Sequence, residues 1–268
     1  MPKPRRASKR GAAFALMLVL ALLVTGTVLG VAGLAKSSLP PEERAPLGYF
    51  GTLPIYWGDS VTLGDMLATA SEPHWVRAEL ERRYALRPLD ILGEGEAGDT
   101  LVGLENLLIA QPRALSSTEN VALDAWVRAG GHLLLFADPM LTAESPYPLG
   151  DKRRPHDVVL LSPILTHWGL RLEYDDFQQQ GERIVEVDEN LTLPVNLPGR
   201  LAVATSLADK SVVAPCRLSG QGLVALCRIG KGQALIVADA ALLEDAGEGV
   251  TLQRAALAQL ARQAFSAN

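Results

Sequence analysis

The apolar residues of the chain fall into an unbroken hydrophobic run, a proline-rich break, and then a long alternation of short and amphipathic segments. The run GAAFALMLVLALLVTGTVLGVAGLA fills 11–35 without a charge, and its 25 residues exceed the roughly 20 that a helix needs to cross a bilayer. A transmembrane helix is predicted there. The following KSSLPPEERAPL, 36–47, mixes charges with Pro40, Pro41 and Pro46 and reads as a linker. Next comes the strand-like YFGTLPIYW, in which Pro54 limits pairing. From Thr62 to Tyr84 a helical pattern is broken at Ser71-Glu72-Pro73, with Trp75, Leu80 and Tyr84 spaced for one face.

The centre of the chain is the clearest part. NLLIA, 106–110, is a short apolar run of the kind buried on both faces of a sheet. Ser116-Ser117-Thr118-Glu119 matches a capping box and predicts a helix to Ala129 that buries Val121, Ala122, Ala125 and Trp126. Gly130 or Gly131 ends it, and HLLLFA follows as a second buried strand. Strand, capped helix and strand make one crossover unit. SPILTHWG then predicts a short helix and RLEYD an edge strand. From 177 to 232 the period drops to about two, with many turn signals, which predicts a β-rich insertion. QALIVADA restores a buried strand, and a helix from Gly249 to Phe265 closes the chain with the stripe Leu252, Ala256, Leu260 and Phe265. The expected fold is α/β, a mostly parallel sheet flanked by helices over 48–268, with the β-rich insertion and one N-terminal transmembrane helix.

Charge sets the expected topology. Lys3, Arg5, Arg6, Lys9 and Arg10 precede the apolar run, so 1–10 is a cytoplasmic tail and the remainder lies across the inner membrane, in the periplasm, as a single-pass protein. A cleaved signal peptide is the rival, because Gly33-Leu34-Ala35 fits a small-x-small cleavage pattern; a signal peptide's apolar core of about 7–15 residues is shorter than this run. The net charge is −5, and setting aside the five basic residues of the tail leaves about −10, which disfavours nucleic acid as a partner. The composition, 48% hydrophobic and 21% charged, is that of a globular domain.

Two cysteines flank RLSGQGLVAL. If Gln221-Gly222 form the turn of a hairpin, Cys216 and Cys227 face each other and an oxidising compartment permits a disulfide; a one-residue slip leaves two thiols instead. Both outcomes stay open at this point.

Candidate chemistry gathers where strands end. Gln111 with Arg113, Asp138 and Asp239 would meet at one sheet edge, joined by Tyr56 and Trp57, and open α/β sheets keep ligand crevices there. The loop PYPLGDKRRPHD adds Asp151, Arg153, Arg154 and His156, and either arginine has the reach to pair with Asp138 or an acidic ligand. The plainer reading is that Asp138 and Asp239 accept hydrogen bonds from the turns that follow them. There is no G-x-S-x-G or cysteine elbow, no G-x-G-x-x-G, no phosphate loop and no metal-ligand spacing, so neither cofactor nor metal is expected.

The run LLIAQPRALSSTENVALDAWVRAGGHLLLFADPM, with LSPILTHWGLRLEYD and GKGQALIVADAALLED, resembles the periplasmic domain of GldG-like proteins. These are auxiliary components of ABC-type transport systems, and their domain is similar to class I glutamine amidotransferases. The resemblance implies a non-catalytic, membrane-anchored accessory subunit that binds a ligand or partner, with an ABC permease and ATPase as its partners. Ala137, Asp138 and Pro139 stand where an amidotransferase carries its cysteine, so no catalytic residue carries over. The rivals are a periplasmic hydrolase using Asp138, Asp239 or His156 and a structural envelope protein that interacts through its β-rich part.

Overall fold

The computed structural model describes residues 44–58, 73–96, 98–204, 216–244 and 250–266. The expected tail at 1–10, the transmembrane helix at 11–35, most of the linker and the helical pattern beginning at Thr62 lie outside the described residues, as does 205–215 of the β-rich stretch. Among the described residues no helix is long and apolar enough to cross a membrane.

A seven-stranded sheet organises the domain, with strand order β11-β12-β13-β6-β5-β1-β2. Its parallel part comprises β1 (Ala45–Gly51), β2 (Tyr84–Pro88), β5 (Asn106–Ala110), β6 (His132–Phe136) and β13 (Gly232–Val237). β11 (Cys216–Ser219) and β12 (Val224–Ile229) extend it antiparallel. The apolar runs explain the central strands. NLLIA and GQALIV are buried at every position, as strands covered on both faces must be. Register carries one apolar row across the sheet, since Tyr49 pairs with Leu108, Leu108 with Leu134, and Leu134 with Leu235. At the end of β1 a Cβ on Gly51 would sit 2.1 Å from the Ala110 carbonyl oxygen, so glycine allows the two backbones their approach.

Four helices are described: α1 (Trp75–Leu80), α2 (Ser117–Ala129), α3 (Ser162–His167) and α4 (Val250–Phe265). The capping box forms as expected: Ser116 Oγ accepts from the Glu119 amide at 3.2 Å, and the Glu119 carboxylate accepts from the Ser116 amide at 2.9 Å. Gly130, with φ 130°, ends the helix.

Several expectations need correction. The buried stripe of α2 is Glu119, Leu123 and Val127, with Val121 69% exposed, because an i,i+4 row through the capping glutamate faces the sheet. In α4 the buried face runs through Gln253, Ala256, Leu257, Leu260 and Ala264, while Leu252 is on the exposed side. Tyr84 opens edge strand β2 instead of continuing a helix, and its ring packs edge-on against Phe265 at 5.7 Å. Residues Ala45–Leu47, assigned to the linker, already belong to β1, and that strand ends before Pro54.

RLEYD supplies β7 (Leu170–Glu173), which among the described residues pairs with β10 (Arg200–Val203) in a separate two-stranded sheet. The stretch 177–232 is correspondingly not one insertion. It yields the hairpin of β8 (Arg183–Asp188) and β9 (Leu191–Val195), then β10, and finally β11 and β12, which join the main sheet. A small β3–β4 pair (Glu94–Gly95, Gly98–Asp99) completes the strands among the described residues. The chain leaves β1 toward β2 on one side and β5 toward β6 on the other, so the carboxyl ends of β1 and β5 mark the switch point of the topology.

Candidate functional site

Register brings the predicted residues together. Gly51 pairs with Ala110, Ala110 with Phe136 and Phe136 with Val237, so the residues just beyond these four strands meet along one edge. Gln111, Asp138 and Asp239 do converge there, and they are buried at 0%, 0% and 1% exposure. The edge is therefore filled at these positions by the chain itself.

Gln111 is the plug. Its backbone takes the left-handed φ of 45°, and its side chain reaches across the switch point. Nε2 donates to the carbonyls of Asp138 (3.0 Å) and His156 (2.8 Å), while Oε1 accepts from the Asp138 amide (3.0 Å). On the other side the Thr52 hydroxyl donates to the Gln111 carbonyl at 2.5 Å and accepts from the His156 amide at 3.1 Å. The loop before His156 is thus drawn over the strand ends through its backbone, and the imidazole-bearing residue remains exposed.

The two aspartates take the plainer of their two readings. Asp138 Oδ1 accepts from the Met140 amide at 2.8 Å and Oδ2 from the Ala240 amide at 3.0 Å. Asp239 Oδ1 accepts from the Ala241 amide at 2.8 Å and Oδ2 from the Asn196 amide at 3.0 Å. Every carboxylate oxygen is engaged by backbone. A third acid, Glu244, joins them from beyond β13, where its Oε1 accepts from the Thr142 hydroxyl at 3.2 Å and its carbonyl from the Trp75 indole at 2.8 Å.

Burial pushes the Asp138 carboxyl up to about 6 against the help of its two amides. It raises Glu244 to about 7, with the Asp138 and Glu182 charges adding to the effect. Asp239 is also raised, first by burial and then by Asp138. Burial thus shifts all three acids toward the protonated form relative to free carboxyls. Among the described residues no three His, Cys, Asp or Glu side chains are placed to hold a metal ion.

The arginines are occupied elsewhere. Arg113 forks onto Glu119 at 2.9 and 2.7 Å and also donates to the Asp90 carbonyl at 2.9 Å, so it clasps the start of α2. This holds the Glu119 carboxyl down at about 2. Arg153 pairs with Asp151 at 2.7 Å and stacks over Tyr147 at 4.2 Å, while Arg154 pairs with Asp157 at 3.1 Å. Neither meets Asp138, which corrects that expectation: each finds its carboxylate two or three residues away on the same loop.

Tyr56 lies under the Arg77 guanidinium at 4.3 Å, and its neighbour Trp57 is 76% exposed. Sequence reasoning missed Thr52, Thr142, Asn196 and Glu244. Only Glu244 left a signal, as the one acid directly after the apolar ALL of the strand-end turn.

Cys216 and Cys227 are opposite in register on β11 and β12 and form a disulfide. The turn between them uses Gln221 with φ 57°. A groove of about 820 Å³ lies between the start of α2 and the segment Ile91–Glu94, with Arg113 in its lining.

The family described as "ABC-type uncharacterized transport system" matches residues 51–196, which is more than half of the chain. No curated protein matches. Among solved structures the chain is similar to the mmIFT52 N-terminal domain, at 14% identity and a TM-score of 0.49, covering 82% of this chain and 97% of that one. It is also similar to the cold-adapted β-galactosidase from Rahnella sp. R3, at 14% identity and a TM-score of 0.43, covering 82% of this chain and 31% of the enzyme. A ThuA-like protein from Bacteroides uniformis gives 12% identity and a TM-score of 0.42, covering 87% and 94%. The chain thus spans about a third of the length of the galactosidase.

Proposed function

From the premise that the chain belongs to the ABC-type uncharacterized transport system family of auxiliary components, we propose that it is a membrane-anchored, extracytoplasmic accessory subunit that docks beside a permease and its ATPase and catalyses no reaction itself. The observation that carries this reading is the filled strand-end edge. Gln111 occupies the switch point, all four oxygens of Asp138 and Asp239 accept from backbone amides, and both residues are buried at 0% and 1% exposure, which keeps the two aspartates from activating a solvent water.

Two further observations support the location. The Cys216–Cys227 bridge suits an oxidising compartment, and the uncharged run at 11–35 has the length of a span. A tether of this kind raises the local concentration of the domain at the transporter, so an accessory part functions without tight intrinsic affinity. The turn Ala137-Asp138-Pro139 fits an amidotransferase-like scaffold whose thiol position serves architecture.

The test is a crosslinking pull-down of the full-length protein from its native membrane, beside a variant lacking the residues before Lys36. Recovery of a permease and an ATPase with the full chain, and their loss with the variant, is the expected result. Recovery of envelope proteins with no transporter subunit overturns the accessory role. A hydrolytic turnover lost in both Asp138→Ala and Asp239→Ala overturns the non-catalytic reading.

A further inference from the structure

Asp138, Asp239 and Glu244 occupy two turns that follow parallel strands β6 and β13, and their hydrogen bonds join four separate segments. Asp138 ties the turn after β6 to the turn after β13 through the Ala240 amide. Asp239 ties the turn after β13 to Asn196, just past β9. Glu244 ties back to Thr142 beyond β6 and, through its carbonyl, to Trp75 on α1. Asp138 and Asp239 bind the consecutive amides of Ala240 and Ala241, so the two carboxyls lie side by side with no water-exposed face.

Among the described residues, the charges that act on Asp239 and Glu244 are negative. From the strand ends the three acids face one another, and Glu182, just ahead of β8, adds a fourth negative charge to the field at Glu244. Arg113, Arg153 and Arg154 have their guanidinium groups on Glu119, Asp151 and Asp157. The covering loop approaches with the His156 backbone, which bonds Thr52 and Gln111. Like charges so close and so dry repel strongly unless one carries a proton.

We propose that Asp138, Asp239 and Glu244 form a proton-operated latch, which locks the turns after β6 and β13 to each other while it holds protons and loosens them when all three carboxyls are ionised. Glu244 is the moving part, because it alone of the three is half-exposed and able to swing its charge into water. Its departure releases Thr142 and the short 3₁₀ turn Ala241–Leu243. The latch is independent of the accessory role and stands or falls on its own measurements.

Acids whose folded pKa lies above the unfolded value contribute fully to stability below the unfolded pKa and lose that contribution as pH rises through the folded one. The test follows thermal unfolding of the full-length protein from pH 5.5 to 8.5, with amide exchange over 239–244 corrected for intrinsic rates. The wild type is expected to melt on the order of 5 °C lower at pH 8.5 than at pH 5.5, with faster exchange at Ala240 and Ala241. Glu244→Gln keeps a group that can meet the Thr142 hydroxyl. It should flatten the slope by about half and melt at or above the wild type at pH 8.5. Asp138→Asn, read only for its slope, is the second variant and should also flatten it. A wild-type Tm that is constant or rises across this range overturns the latch, and so does an undiminished slope in both variants.

Discussion

Replacing Gln111 by alanine tests whether the switch point is closed by one side chain. Three hydrogen bonds disappear. Among the described residues the Asp138 amide has no other partner, and it sits in a fully buried residue, so it becomes an orphan donor at about 1–3 kcal/mol. The Asp138 carbonyl keeps the Val159 amide at 3.1 Å, and the His156 carbonyl belongs to an exposed residue that water reaches. Those two losses cost about 0.5–1.5 kcal/mol each. The sum is about 4 kcal/mol, which corresponds to roughly 10 °C in Tm for a domain of this size. Urea unfolding of the purified protein measures it directly.

Gln111→Gly removes the same bonds but relieves a left-handed backbone, so it should be milder than alanine by about 1 kcal/mol. An alanine cost below about 1 kcal/mol would mean that water, not Gln111, fills the edge. A glycine variant weaker than the alanine one would refute the left-handed geometry.

Three other perturbations probe the frame around the site. Glu119→Gln should destabilise by about 1–3 kcal/mol at pH 7; because the Glu119 carboxyl is lowered to about 2, the gap should close as pH falls from about 5 toward 2, as seen in parallel urea titrations. Replacing both Cys216 and Cys227 by serine should cost about 3 kcal/mol, given the short loop closed by a sequence separation of 11, and alkylation of the native protein without reductant should find no free thiol. Leu134→Ala, at 0% exposure in the middle of the sheet row, should cost about 3–4 kcal/mol, and a loss under 1 kcal/mol would contradict that register.

The central crossover was legible because its signals are local. NLLIA, the Ser116–Glu119 box, the glycine stop and HLLLF each fall within a few residues of one another. So was the convergence of Gln111, Asp138 and Asp239, which needs only strand ends in parallel register. The hydrogen bonds that fill the edge were hidden, because they join residues 27, 45 and 104 positions apart. Edge strand β2 was hidden for another reason: Tyr84-Ala85-Leu86-Arg87-Pro88 has no strict alternation, and Tyr84 also fits a helical spacing after Leu80. The helix faces of α2 and α4 were displaced because their buried rows run through polar residues, Glu119 and Gln253, that pattern reading assigns to solvent. The arginines found acids nearer in sequence than the strand ends.

Carboxylates in this domain meet two opposite fates, and the difference lies in what came with them into the fold. Glu119 arrives with Arg113 and two backbone amides, so its charge is favoured and its contribution to stability is complete at neutral pH. Asp138 and Asp239 arrive with amides alone, and each also faces the other. Backbone dipoles suffice to orient them but not to offset their burial. The first environment weakens as pH falls below about 4.5, and the second as pH rises from the ordinary carboxylate range through the Asp138 value of about 6 and the Glu244 value of about 7, above which the loss is complete. Stability should therefore peak near the ordinary carboxylate range, about 4.5, where the two windows meet. A domain held this way is firmest in mild acid, and the edge that its parallel strands would ordinarily open to a ligand is the part that changes first as the medium turns alkaline.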